Sequence, residues 1–297
     1  MAGWIRGCVM TDAVLPRSPG GRAWARLRRN PTAVAAMIVL GVIAGLCIVG
    51  PWVIPHSYDA VSWENILTAP DWSSGHWFGT DPNGRDLLAR TLVGGRISLM
   101  VGLVASLVSL VIGVSWGAVA GYTGGRVDGV MMCIVDILYA LPFMFFVILL
   151  MVYFGRNIVL IFVAIGAVEW LTMARIVRGQ TLSLKRREFI EAARAIGVPG
   201  LTIVRRHIVP NVAGPVIVFL TLTIPEVMLI ESFISFLGLG VQEPMTSWGV
   251  LISEGAQNIE EAPWLLAFPG TCLALTLLCL NLLGDALRDA LDPRDGR

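Results

Sequence analysis

Three carboxylates stand where carboxylates are costly. Glu169, Glu226 and Glu231 fall inside long apolar runs, where an ionised side chain costs roughly 2.5–3.5 kcal/mol near mid-bilayer. Such groups must face protein or water, and two kinds of work suit them: lining a polar pathway or relaying protons. Glu226 and Glu231 are five residues apart, about 140° around a helix, so one groove does not receive both. Glu226 follows Pro225, where a kink would open the helix. One of the two is expected to line a central pathway, the alternative being a packing carboxylate satisfied by hydrogen bonds. Asp136, near the end of another apolar run, is a further candidate for a polar interior.

Other chemistry is not expected. The one lysine, Lys185, follows Leu184, so a phosphate-cradling Gly-Lys-Ser/Thr loop cannot exist. No dinucleotide fingerprint, Ser/His/Asp or HExxH arrangement occurs. His56, His76 and His207 lie far apart, and Cys8, Cys47, Cys133, Cys272 and Cys279 form no CxxC pair. A metal site is therefore not expected. The chain reads as a non-enzyme without a cofactor of its own, and nucleic acid is not expected as a partner.

Composition sets the class. Of 297 residues, 56% are hydrophobic and 14% charged, well below the roughly 25% charged of soluble domains. Apolar runs at 33–54, 97–121, 130–154, 157–177, 212–237 and 264–287 each reach the length that spans about 30 Å of hydrocarbon. The expectation is an all-α, polytopic membrane protein with six transmembrane helices. Pro142 and Pro225 should kink two of them. Residues 1–32 read as a basic tail without a cleavable signal, making 33–54 an uncleaved anchor.

Six spans put both termini on one side. Eighteen Lys and Arg then fall on that side and four on the other, which makes the termini and the loop 178–211 cytoplasmic. The chain divides into a tail 1–32, a span 33–54, an outer loop 55–96, a core 97–287 containing the loop 178–211, and a tail 288–297.

That loop runs Lys185-Arg-Arg-Glu-Phe-Ile-Glu191-Ala-Ala-Arg-Ala-Ile-Gly197-Val-Pro-Gly-Leu-Thr-Ile-Val-Arg-Arg-His207-Ile-Val-Pro210-Asn211. Two short amphipathic helices are legible. The first places Phe189, Ala192 or Ala193, and Ile196 on one face, with Arg187 and Glu191 paired. Gly197, Pro199 and Gly200 turn the chain. The second groups Leu201, Val204 and Ile208 before Pro210 stops it. A basic, hinged knob between spans suits docking on a soluble partner.

The outer loops, 55–96 and 238–263, carry nine carboxylates against three arginines, Arg156 being the fourth of the outer face, with tryptophans clustered in or beside them. Trp248 belongs to a docking surface or an interfacial anchor. Gly79-Thr-Asp81-Pro and Asn83-Gly are turn formers, and Arg85 with Asp86 is read as a local ion pair shaping the loop.

Several of these stretches carry a resemblance. Glu191-Ala-Ala, Gly197 and Ile208-Val-Pro210 resemble the EAA loop of ABC-importer permeases. Gly79-Thr-Asp81-Pro-Asn-Gly84-Arg85-Asp86 is similar to the GTDxxGRD signature of peptide-importer permeases. Phe143-Met-Phe-Phe146, the run from Ala174 to Leu184, Ser235-Phe-Leu-Gly-Leu-Gly240 with Glu243-Pro, Ser247-Trp-Gly249 and Gly284-Asp-Ala-Leu-Arg-Asp-Ala-Leu-Asp-Pro293 complete the likeness to OppC-type permeases of the oligopeptide/dipeptide ABC importers. The likeness departs at Cys133, where relatives often carry a basic residue.

The resemblance implies a type I ABC-importer permease fold in a bacterial cytoplasmic membrane, in contact with lipid. It implies a heterodimer with a second, OppB-type permease, two ATPases of OppD and OppF type that bind ATP and Mg, and an OppA-type extracytoplasmic peptide-binding protein. Glu191 would anchor the loop on a basic residue of the ATPase. Ala192, Ala193, Gly197 and Pro210 complete the motif, and Leu201, Val204 and Ile208 form the apolar back of the knob. Cargo is expected to be oligopeptide, with dipeptides, nickel or other chelates as alternatives, and a proton-coupled transporter as the competing class.

Overall fold

The computed structural model describes residues 19–155 and 158–291. These residues are all-helical, with a lone bridge between Thr80 and Asp86 and no named strand. The helices are α1 (Pro19–Arg29), α2 (Pro31–Val53), α3 (Leu87–Thr123), α4 (Gly125–Ala140), α5 (Phe143–Phe154), α6 (Ile158–Leu184), α7 (Glu188–Ala195), α8 (Gly200–Ile203), α9 (Val209–Phe236), α10 (Trp248–Gln257) and α11 (Trp264–Leu291). A π-helical turn, Val204–Ile208, joins α8 to α9, making one helix from Gly200 to Phe236.

Among the described residues, four helices are long and apolar enough to cross a membrane, or five if the bent pair α4–α5 counts as one span. That pair bends by 81° at the break before Pro142, the kink that proline dictates when its ring blocks the helix. The expected span 157–177 begins beside residues outside those described, and six spans are not established by these helices.

Several boundaries move outward. α3 begins at Leu87, ten residues before the expected span, because Asp86 caps it by accepting the Ala89 amide at 2.8 Å. α6 runs on to Leu184, taking the first part of the expected loop. The basic N-terminal stretch is helical as α1, where Leu27 is buried with Ala33 and Ala286. Asn30 caps α2. The four-residue spacing of Arg288 and Asp292 predicts an ion pair and Pro293 a helix stop, and both readings fall outside the described residues.

α3 packs most extensively on α6, and glycines let it. A Cβ on Gly117 would stand 2.4 Å from the Ala174 carbonyl, one on Gly121 2.8 Å from Thr181 Cβ, and one on Gly113 2.5 Å from Met173 Cβ. Glycine every four residues makes a groove on one helix face, the arrangement by which apolar helices approach closely where water supplies no driving force. Gly117→Leu should lower the folded yield in membranes, at a cost of about 1–3 kcal/mol from overpacking. Gly179→Ala, where a Cβ meets open space, should leave yield unchanged; fluorescence-detected size exclusion of the two variants checks this.

Candidate coupling and pathway sites

The hairpin α7–α8 closes one end of the bundle. Glu188 and Glu191 occupy the first turn of α7 and Arg194 the last, matching the helix dipole. The helix ends in a Schellman turn: the Val198 amide donates to the Ala193 carbonyl at 3.0 Å and the Gly197 amide to Arg194 at 2.9 Å. Gly197 has φ +79°, a conformation that glycine adopts without strain. Tyr122, at the end of α3, seats the turn, with the Arg194 guanidinium 4.9 Å from its ring centre. A Cβ on Gly200 would come within 2.9 Å of that ring.

The faces differ from the sequence reading. Ile190, Ala193, Ile203, Val204 and Ile208 are buried in one cluster with Met173, Val177 and Val212. Phe189, Ile196 and Leu201 are 44%, 80% and 65% exposed. Ala192 is also exposed. Thus Val204 and Ile208 form the apolar back, and Leu201 does not. Of the expected face, Ala193 is buried, but Phe189 and Ile196 point away from the bundle, because Ile190 takes the inner side beside Ala193. Arg187 and Glu191 form no ion pair; both are exposed, and exposed pairs gain little.

Pro210 does not stop the second helix. The Val209 amide reaches back five residues to the Val204 carbonyl. This wider turn lets the helix pass the proline, which has no amide to donate.

The carboxylates separate by burial. Glu231 is fully buried on α9. It accepts from the Ser98 hydroxyl at 3.1 Å and the Ser235 hydroxyl at 2.7 Å, and Ser98 in turn accepts the Trp248 amide at 3.2 Å. It therefore packs between α3, α9 and α10 and lines no pathway, which removes one of the two sequence candidates. Glu226, on another face, is exposed. Asp136 is exposed too and accepts from Arg175 at 2.8 Å, the guanidinium lying over Tyr139 at 4.2 Å.

At the opposite end an ion network ties the loop before α3 to α10. Asp81, fully buried, accepts the Arg85 amide and the Arg85 Nε at 2.8 and 2.6 Å, and also binds Arg90. Arg90 grips Glu254 through both nitrogens at 2.6 and 2.9 Å, a bidentate pairing. Arg85 further meets Glu243 at 3.0 Å. Burial opposes the Arg85 charge, but the Asp81 and Glu243 carboxylates outweigh it and hold the guanidinium above its ordinary pKa. So Arg85 and Asp86 do not pair with each other. Gly84, at φ +73°, completes the turn where a Cβ would strike the Ser62 carbonyl. Trp248 is wholly buried, donating Nε1–H to Thr91 at 2.9 Å. It is a structural wedge, neither interfacial anchor nor docking surface.

His56 and His76, distant in sequence, meet here with Asp86, their ligand atoms within 4.8 Å of one another. The imidazoles are stacked at 4.4 Å, so their lone pairs do not converge. His76 Nδ1 lies 2.9 Å from Asp86 Oδ2, while the other Asp86 oxygen caps α3. His76 and Asp86 form a hydrogen-bonded clasp on which His56 stacks, an arrangement that fits a metal poorly. Three contributions escaped sequence reasoning: this clasp, the Arg90–Glu254 tie and the glycine seam. The seam alone left a legible signal, glycine at every fourth position of 113–121.

Residues 113–295 match the family described as binding-protein-dependent transport system inner membrane component. Residues 18–70 match the N-terminal TM domain of oligopeptide transport permease C. The chain is 58% identical to the oligopeptide transport system permease protein OppC of Escherichia coli strain K12, over 91% of this chain and 89% of the relative. Its identity to the Haemophilus influenzae protein of the same name is 55%, over 91% and 87%. To the dipeptide transport system permease protein DppC of Bacillus subtilis it is 45%, over 92% and 85%.

The far-end network makes an unequal set of demands on its members. Arg90→Met takes one of two cations from the buried Asp81 carboxylate, which keeps Arg85, and should cost about 1–3 kcal/mol. Glu254→Gln should cost under 1 kcal/mol or so, since Glu254 keeps contact with solvent. Thermal unfolding of the two purified variants reads the difference.

Proposed function

The chain belongs to the binding-protein-dependent transport system inner membrane component family, and from that premise we propose how it couples a motor to cargo movement. It is a multi-pass inner-membrane protein, a non-catalytic permease subunit of a peptide ABC importer. The finer reading is a six-span, type I permease with both termini and the α7–α8 hairpin in the cytoplasm. It pairs with a second, homologous permease and takes force from two ATPase subunits that bind ATP and Mg. Oligopeptide cargo arrives on an extracytoplasmic binding protein.

One observation carries the coupling: the hairpin exposes an apolar set on a strongly basic surface and is continuous with a membrane-spanning helix. Phe189, Ile196 and Leu201 stand exposed among Arg186, Arg187, Arg194, Arg205 and Arg206. Apolar anchors rimmed by charge suit a protein interface. From that surface one helix runs from Gly200 to Phe236, so displacement of the hairpin tilts α9 as a lever. Glu191, exposed on the hairpin, meets a basic group of the motor; Ala192 leaves room beside it. Ala193, Val204 and Ile208 hold the hairpin to the bundle, Gly197 supplies the turn, and Pro210 marks the root of the lever. The exposed tryptophans at the far end, Trp63, Trp72 and Trp77, sit where the binding protein docks, on a platform that Asp81, Arg85, Asp86 and Trp248 keep rigid. Asp136 and Glu226, the exposed carboxylates, face the second permease or the pathway between the two.

A proton relay has less support. Glu231 lies enclosed by hydroxyl donors and full burial, with no opening to either side. Glu191→Lys and Gly197→Asp should leave the protein in the membrane while abolishing peptide uptake at undiminished ATP hydrolysis. Uptake assays in cells and ATPase assays of the purified complex measure both, and normal uptake by both variants would remove the hairpin from the mechanism.

A further inference from the structure

Between α6, α9 and the end of α11 lies an open groove with a cavity of about 630 Å³, lined by Ile176, Pro215, Val218, Phe219, Leu222 and Arg288 among others. The walls are apolar. Arg288, in the last turn of α11, is the charged member of the lining.

Two turns along each wall stands a carboxylate. Glu226 lies four residues after Leu222 and seven after Phe219, spacings that keep it on the groove face of α9. Glu169 lies seven residues before Ile176 on α6, again on the same face. Glu226 is exposed, and among the described residues it has no hydrogen bond or ion pair. Glu169, 8% exposed on α6, is close enough for the two carboxylates to influence each other. An exposed carboxylate in a membrane-spanning helix is costly against hydrocarbon, so this face meets something polar.

The groove thus has a cation at one end, negative charge at the other and an apolar wall between. From Pro215 to Glu226 the helix rises about 16 Å at 1.5 Å per residue. An extended peptide of about five residues covers that length at roughly 3.3 Å each.

We propose that this groove is a transient binding subsite for short peptides with both termini free. The peptide ammonium meets Glu226, and the peptide carboxylate meets Arg288. Cargo side chains lie along Val218, Phe219 and Leu222. The assignment rests on the reading of the chain as a peptide permease. It goes further in giving the permease itself a preference for charged ends.

The test uses the complete transporter in proteoliposomes, with a pentapeptide carrying a central photoreactive benzophenone. The peptide is supplied on saturating binding protein, alongside its N-acetylated and C-amidated forms. Light during ATP-driven uptake should label α9 between Pro215 and Glu226. The free peptide should label about tenfold more than the N-acetylated one, the scale of one charge-assisted hydrogen bond. Glu226→Gln should remove that preference, and Arg288→Gln the preference for a free carboxylate. Equal labelling by free and blocked peptides, or a preference that survives Glu226→Gln, would overturn the proposal.

Two other occupants would also overturn it. One is the second permease, seen if a cysteine at Leu222 cross-links to it in every state of the cycle. The other is a phospholipid, seen by native mass spectrometry and lost in Arg288→Gln. Each of these outcomes leaves ATP-driven uptake by the wild-type complex intact. A complex that moves no peptide would instead remove the permease reading, and the subsite with it.

Discussion

The close approach of α3 to α6 is the constraint on which the rest is built. In hydrocarbon, two apolar helices gain nothing from expelling water, so their association depends on contact distance. Gly113, Gly117 and Gly121 bring the backbone of α3 against Met173, Ala174 and Thr181, and dispersion summed along that seam replaces the missing hydrophobic drive. The seam fixes the end of α6, where the hairpin begins, and places Tyr122 beneath the hairpin's turn. A loose seam would leave α7 attached to the bundle but without a defined position.

Force entering at α7 needs a stiff member to carry it and a fixed point to work against. The helix from Gly200 to Phe236 supplies the first, and its π turn lets it pass Pro210 unbroken. The second lies at its far end, where Glu231 gathers hydroxyls from Ser98 and Ser235 while Trp248 hangs from Ser98. Arg90, between Asp81 and Glu254, ties the same region to the outer loop. Buried polar groups held by several partners give a defined geometry at a high cost of disruption. On the proposed coupling, the far end serves as the anchored plate and the near end as the moving one.

What the sequence disclosed follows from what each signal depends on. The apolar runs at α2, α3, α9 and α11 were legible because a bilayer demands length and hydropathy alone. The turn at Gly197 was legible because glycine followed by proline punctuates any helix. Helix ends were not, since α3 starts early on the cap at Asp86 and α6 continues into the expected loop, and both depend on tertiary neighbours. The inner face of α7 was misread by one residue. Phe189 and Ile196 satisfy the same periodicity as Ile190 and Ala193, and only the presence of α3, α6 and α8 decides between them. His56 and His76 looked unrelated because a folded loop, and no regular repeat, brings them together.

The two carboxylates of α9 show how far angular reasoning reaches. Being about 140° apart, they could not share one environment, and they do not. Angle alone gave no sign of which would be enclosed. That was settled by partners from elsewhere: Ser98 from α3 and Trp248 from α10 close over Glu231, while nothing among the described residues closes over Glu226. A single subunit that leaves one intramembrane carboxylate bare is, by the energetics of burial, an incomplete object. The surface around Glu226 must be finished by a second protein, by cargo or by water held between them, and a lone chain in lipid would not tolerate it ionised and uncovered. The need for company can thus be read from one side chain, independently of any relative.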